Sequence, residues 1–220
     1  MLSDNVFLIK IIPTVLSSKR LHQTCLTNRQ MSALSGFCST FLQALRQNPK
    51  FISLVYFCGL HADHDDPDAG PRGMMMSFIA QLIVQWGFDT SFPQERADLS
   101  WVEYGEEPYI DDLCALVNWL ICQLPASMTV FCVIDGISAY ENESYVQDLV
   151  EGLACVLDLV IDAQIRLTVK VLVTSPCRTF EVREGFHDDV VLAMAGQSGV
   201  SRQASQRQLQ YKVSRVFGDN

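Results

Sequence analysis

The chain has 220 residues, 49% of them apolar, and a formal net charge of −9. That length suits one substantial hydrophobic core, and the acidic balance excludes a general nucleic-acid binder, which needs basic surface. No apolar run approaches the ~18 residues that span a bilayer, and the eight cysteines contain no CxxC pair, which argues against a cysteine-rich zinc module.

In chain order, Val6–Ile12 predicts a first strand ended by Pro13. Asp4 stands where the basic region of a signal peptide belongs and Lys10 interrupts the apolar run, so residues 1–30 read as a leader with room for a first strand. Ser17–Gln30 is polar and free of glycine. A helix is expected from about Met31 to Gln47, with Leu34, Phe37, Cys38, Phe41, Leu42 and Leu45 on one stripe and Asn48-Pro49 as its stop. Phe51–Cys58 is a near-continuous apolar run and predicts a strand covered on both faces. The loop Gly59–Gly70 is rich in Asp and His, part of an acid-rich stretch from His61 to Asp112 that reads as solvated loops.

Pro71 opens the next helix, where its missing N–H costs nothing. Met75, Phe78, Ile79, Leu82, Ile83 and Trp86 form its stripe, and Gly87 is its expected stop. Phe88–Glu107 has no clear period. Pro108 opens a third helix, with Leu113, Leu116, Val117, Leu120, Ile121 and Leu124 as its stripe and Pro125 as its end. Met128–Asp135 is again continuously apolar and predicts a buried strand with a carboxylate at its carboxyl end, where open α/β sheets place their ligands. Ser144 and Gln147 have capping-box spacing before a long helix from Val146 to about Val160. Leu167–Thr174 predicts a strong strand and Val190–Met194 a weaker one. Residues 196–220 read as a polar, flexible tail. Alternating strands and helices imply an α/β fold, a three-layer, mostly parallel sheet with helices on both faces. Cys38, Cys58, Cys114, Cys122, Cys132 and Cys155 sit inside apolar patterns. They are expected to be core thiols of a reducing compartment, in keeping with a cytoplasmic location.

Three chemistries can be weighed at the residue level. Asp135-Gly136-Ile137-Ser138 resembles the D-x-S-x-S metal site of integrin-type modules, but Ile137 and Ala139 occupy the positions that need hydroxyls. Cys58, His61 and His64 are three residues apart with Asp63, Asp65, Asp66 and Asp68 nearby, which suggests a metal, although loop His and Asp more often form solvated turns. A nucleophilic triad has no support: there is no G-x-S-x-G elbow, and none of His22, His61, His64 and His187 is singled out.

The order of elements carries more than any of these. Ser53–Ile83, Thr129–Glu141 (TVFCVIDGISAYE) and Val169–Pro176 (VKVLVTSP) together resemble the NACHT domains of the nephrocystin-3-like type. These are a branch of the STAND P-loop NTPases abundant in filamentous fungi. The resemblance covers roughly Met31–Met194, within a core set at residues 31–195. It implies a P-loop NTPase-like fold in which Asp135 ends the Walker B strand as magnesium ligand and Thr174 and Ser175 end the sensor strand. It further implies Mg-ATP or Mg-GTP as cofactor and protein partners.

The departures weaken the catalytic expectation. A P-loop needs G-x-x-x-x-G-K-[ST], because glycine lets backbone N–H groups wrap the phosphates. The aligned window, Cys25–Ser32, has neither glycine nor lysine; Arg29 could supply charge and Ser32 a hydroxyl. Each lost charge-assisted contact removes ~1.5–3 kcal/mol of nucleotide affinity. The acids that follow the Walker B aspartate in the family are replaced by Gly136, Ile137, Ser138 and Ala139, with Glu141 and Glu143 out of register. Pro176 replaces the usual sensor arginine, with Arg178 as a displaced substitute. The expectation is a degenerate NACHT-like domain, an interaction or regulatory module with weak or no hydrolysis. The alternative is an active Mg-dependent NTPase with an atypical or truncated P-loop. The glycine-free Ser17–Gln30 segment would also suit a fragment or a displaced start.

Overall fold

Continuous apolar runs give strands only when both sheet faces are covered, because each run sends side chains to opposite sides. The computed structural model describes residues 6–13, 33–63, 65–88 and 107–196, and there five such runs form one sheet. They are β1 (Val6–Pro13), β2 (Phe51–Phe57), β3 (Thr129–Asp135), β4 (Thr168–Ser175) and β5 (Val191–Gly196). Their order is β2-β3-β4-β1-β5, and every pairing is parallel. The helices are α1 (Ala33–Leu45), α2 (Gly70–Gln85), α3 (Ile110–Cys122), α4 (Val146–Asp158) and the single turn α5 (Glu181–Glu184).

The strand order explains the layering. From β1 the chain passes over β4 and β3 to reach β2, then returns strand by strand to β3 and β4. Right-handed crossovers run in opposite directions therefore place their helices on opposite faces. The packing agrees. Leu34, Phe37, Cys38 and Leu42 of α1 form one buried cluster with Val133 and Leu172. On the other face, α2, α3 and α4 pack on Ile52, Leu54, Tyr56, Val130, Cys132, Ile134, Val169, Val171 and Val173. Successive residues of β3 and β4 thus divide between two cores, and Val130–Asp135 are all buried. Among the described residues, no helix is long and apolar enough to cross a membrane.

Several expectations shift in detail. The first strand expected at Val6–Ile12 is β1, which pairs with both β4 and β5. α1 is described from Ala33 to Leu45, and Met31 and Ser32 lie outside the described residues, as do 89–106 and 197–220. Ser144 and Gln147 do not form a capping box. Asn142 closes the turn instead, accepting the Ser144 N–H on Oδ1 at 3.0 Å and the Val146 N–H on its carbonyl at 2.9 Å, while Gln147 bonds Glu151. α2 ends at Gln85, where Trp86 is already extended, so Gly87 plays no part in stopping it. Cys122 is exposed rather than core, and Cys177 is disulfide-bonded; the other five expected core thiols are free and at least half-buried.

At the carboxyl end of β2, two buried phenols tie three segments together. Tyr56 donates to the Asp68 carbonyl, Tyr140 donates to the His61 carbonyl at 3.1 Å, and the two hydroxyls lie 3.0 Å apart. Asp68 is also locked by its contact with α2. A Cβ on Gly73 would lie 1.9 Å from the Asp68 carbonyl oxygen, whereas one on Gly36 of α1 meets nothing within 4 Å. Gly73→Ala is therefore expected to destabilise the protein by about 1–3 kcal/mol through overpacking against backbone. Gly36→Ala should stabilise it by about 0.5–1 kcal/mol through helix propensity. Urea unfolding of the two variants beside the wild type checks the opposite signs.

Candidate functional site

The connections that follow β1 and β4 lead to helices on opposite faces of the sheet. Such a reversal between adjacent strands creates the crevice in which open α/β sheets hold ligands. Thr174 lies at the end of β4 at that point, and Asp135 ends the next strand, β3. Asp135 is 5% exposed and Thr174 fully buried.

A buried carboxylate must be supplied with donors or it costs several kcal/mol. The Thr174 hydroxyl donates to Asp135 Oδ1 at 2.5 Å, and the Ser35 hydroxyl donates to Oδ2 at 2.5 Å. The Cys38 thiol approaches Oδ1 at 3.8 Å. Burial and the neighbouring Asp135 push the Cys38 thiol far above its ordinary range, so it is a proton-bearing donor. The Thr174 Oγ1 also accepts the Gly136 N–H at 3.2 Å, and the Thr174 carbonyl accepts it at 3.0 Å. Gly136 turns the chain out of β3 with φ +76°, a left-handed conformation natural to glycine. Asp135 thereby joins three elements: the first described turn of α1, the end of β3 and the end of β4. The ion pairs found among the described residues involve His61, Arg72 and Arg183, and none reaches Asp135.

Of the residues singled out in the sequence, the structure brings Asp135 and Thr174 together. Ser175 is buried but turned away, donating to the Cys177 carbonyl at 2.7 Å. Arg178 lies over the Phe180 ring, 5.3 Å from its centroid, outside the Asp135 cluster. Arg29 and Ser32 lie outside the described residues. Glu141 has a structural role. Its carboxylate accepts the N–H groups of Phe180 at 3.0 Å and Val182 at 2.8 Å, joining the turn after β3 to α5.

Ser35 and Cys38 are not among the candidate site residues of the sequence, which places Cys38 only on the apolar stripe of the helix. They lie at i and i+3 on α1, and a hydroxyl three residues past the Cys25–Ser32 window is the available signal. If Ser35 is taken as the hydroxyl of G-x-x-x-x-G-K-[ST], the window becomes Asn28–Ser35. Leu34 then stands where lysine is required, and it is 2% exposed in the α1 cluster.

The second group of candidate ligands is only partly assembled. His61, Asp66 and Asp68 place one ligand atom each within 4.8 Å of one another. Cys58 is instead buried in the main core, and His64 lies outside the described residues. The His61 Nδ1 bonds Asp66 Oδ2 at 2.9 Å, the ring stacks on Tyr56 at 4.9 Å, and Asp66 Oδ1 accepts the Asp68 N–H at 2.9 Å. That backbone N–H, followed by His61, holds the Asp66 carboxyl below its ordinary range. The group reads as a self-contained turn leading into α2.

No protein-family model and no curated protein matches this chain. The site therefore rests on its own geometry.

Because both hydroxyls serve one buried carboxylate, Thr174→Val and Ser35→Ala are each expected to lower stability by about 1.5–3 kcal/mol, the range for hydrogen bonds to charged groups. The double variant should lose more than the sum, since the two share a partner. Denaturant unfolding of the single and double variants measures the coupling.

Proposed function

We propose that the chain is a degenerate NACHT-like P-loop domain, an interaction or regulatory module that acts through protein partners and hydrolyses nucleotide weakly or not at all. The observation that carries this reading is the Asp135 clamp. A carboxylate ends an inner parallel strand and bonds a hydroxyl at the start of the helix that follows β1. With β4 between them, β1 and β3 lie about 10 Å apart, at ~4.8 Å per strand.

The same site fits a nucleotide poorly. Asp135, Ser35 and Thr174 offer hard oxygen donors of the kind magnesium takes, and bound magnesium would supply charge neutralisation for a terminal phosphate. The phosphate-lysine position is Met31 in the aligned window Cys25–Ser32, and in the window ending at Ser35 it is Leu34, packed into the core. Both Asp135 oxygens are already satisfied by protein hydroxyls. The clamp thus serves to hold α1 against the sheet. The oxygen donor set is the one observation that favours the second reading, an active Mg-dependent ATP or GTP hydrolase with an atypical P-loop.

Calorimetric titration separates the two. With Mg-ATP or Mg-GTP, the first reading expects no saturable heat below millimolar nucleotide and no phosphate release. Micromolar binding that is lost in Asp135→Ala, accompanied by phosphate release, would overturn it in favour of the enzyme.

A further inference from the structure

Strand β2 is an edge of the sheet. Its even-numbered residues turn their N–H and C=O groups toward β3, so Phe51, Ser53, Val55 and Phe57 present theirs outward. Such a row is a template for another strand. Here its middle is filled from within. The Gln81 side chain accepts the Val55 N–H at 2.9 Å and donates to the Val55 carbonyl at 2.8 Å. The Gln85 side chain accepts the Ser53 N–H at 3.1 Å and donates to the Ser53 carbonyl at 3.0 Å. The Phe51 N–H goes to the Asn48 carbonyl at 3.0 Å.

Each glutamine amide imitates a backbone amide, with one donor and one acceptor used on the same residue of β2. The spacings match on both sides: residues 53 and 55 are two apart in a strand, ~6.6 Å, and residues 81 and 85 are one helical turn apart, ~6 Å. The amides are fixed in turn, since Gln81 also donates to the Ser77 hydroxyl at 2.9 Å and Gln85 to the Gln81 carbonyl at 3.1 Å.

We propose that Gln81 and Gln85 seal the β2 edge against strand addition by a second copy of this chain. The occupant follows from β2 itself. FISLVYF is seven residues of high strand propensity with no charge, proline or glycine, a composition that pairs with its own copies when exposed. None of the usual guards, an edge lysine, a proline or a bulge, is present in it. The two amides supply the guard from the neighbouring helix.

The test replaces the amides by side chains of similar length with no hydrogen-bonding capacity, Gln81→Met/Gln85→Met. At a concentration where the wild type keeps a constant mass by analytical ultracentrifugation, the variant should at least double its mass. On dilution, amide exchange at Ser53 and Val55 should accelerate on the order of tenfold, the equivalent of one lost hydrogen bond each. Val55→Pro in the same background removes an outward N–H, which an edge strand tolerates, and should restore the wild-type mass. A folded double variant with unchanged mass and exchange overturns the proposal, and so does growth that Val55→Pro fails to relieve. If the double variant does not fold, Gln85→Met alone should accelerate exchange at Ser53 and spare Val55. Equal exchange at both sites would then overturn it.

Discussion

A carboxylate buried in a parallel sheet has to be supplied with protons by its neighbours, and in this protein the supply crosses the molecule. Ser35 from α1 and Thr174 from β4 each give a hydroxyl to Asp135 at 2.5 Å. Helix α1 is the only long helix on its face of the sheet among the described residues, and its apolar contact is the cluster around Val133 and Leu172. The polar clamp adds direction to that contact. Of the two hydroxyls only Ser35 comes from α1, and its bond to Asp135 Oδ2 can be met at one register of the helix on the sheet, while the Thr174 bond ties β4 to β3.

The same cluster bears on the proposed reading, a module that holds α1 in place rather than a hydrolase. A magnesium site needs carboxylate oxygens that can be released to the ion, and a phosphate site needs backbone N–H groups and a lysine aimed at the ligand. Here the oxygens are occupied and the residue before Ser35 is a core leucine. At the carboxyl ends of β3 and β4 the polar groups answer one another.

At the edge of the sheet beside β3 a different constraint governs. Edge strand β2 carries no charge to deter pairing, and α2 compensates with a polar row at Ser77, Gln81 and Gln85 set in an otherwise apolar helix. These residues stand four apart, so the row was visible in the sequence. Its purpose was not, because nothing in the spacing says that the row faces a strand edge instead of water.

The sequence by itself determined the elements. Runs such as Val130–Ile134 are apolar without alternation, which only a strand covered on both faces accommodates, and Pro71 and Pro108 marked helix starts that the structure keeps within two residues. It also singled out Asp135, the acid that ends a buried strand, whereas Thr174 was named only through the family resemblance. Tertiary structure alone decided that β1 lies between β4 and β5, since strand order is a matter of long-range pairing that periodicity does not encode. It decided as well that Ser35 completes the Asp135 clamp, that Ser175 and Arg178 turn away from it, and that Cys58 packs inward from His61. Each of these depends on which residue of a helix or turn meets an element distant in the chain, and that is set by packing register, to which a local pattern is blind.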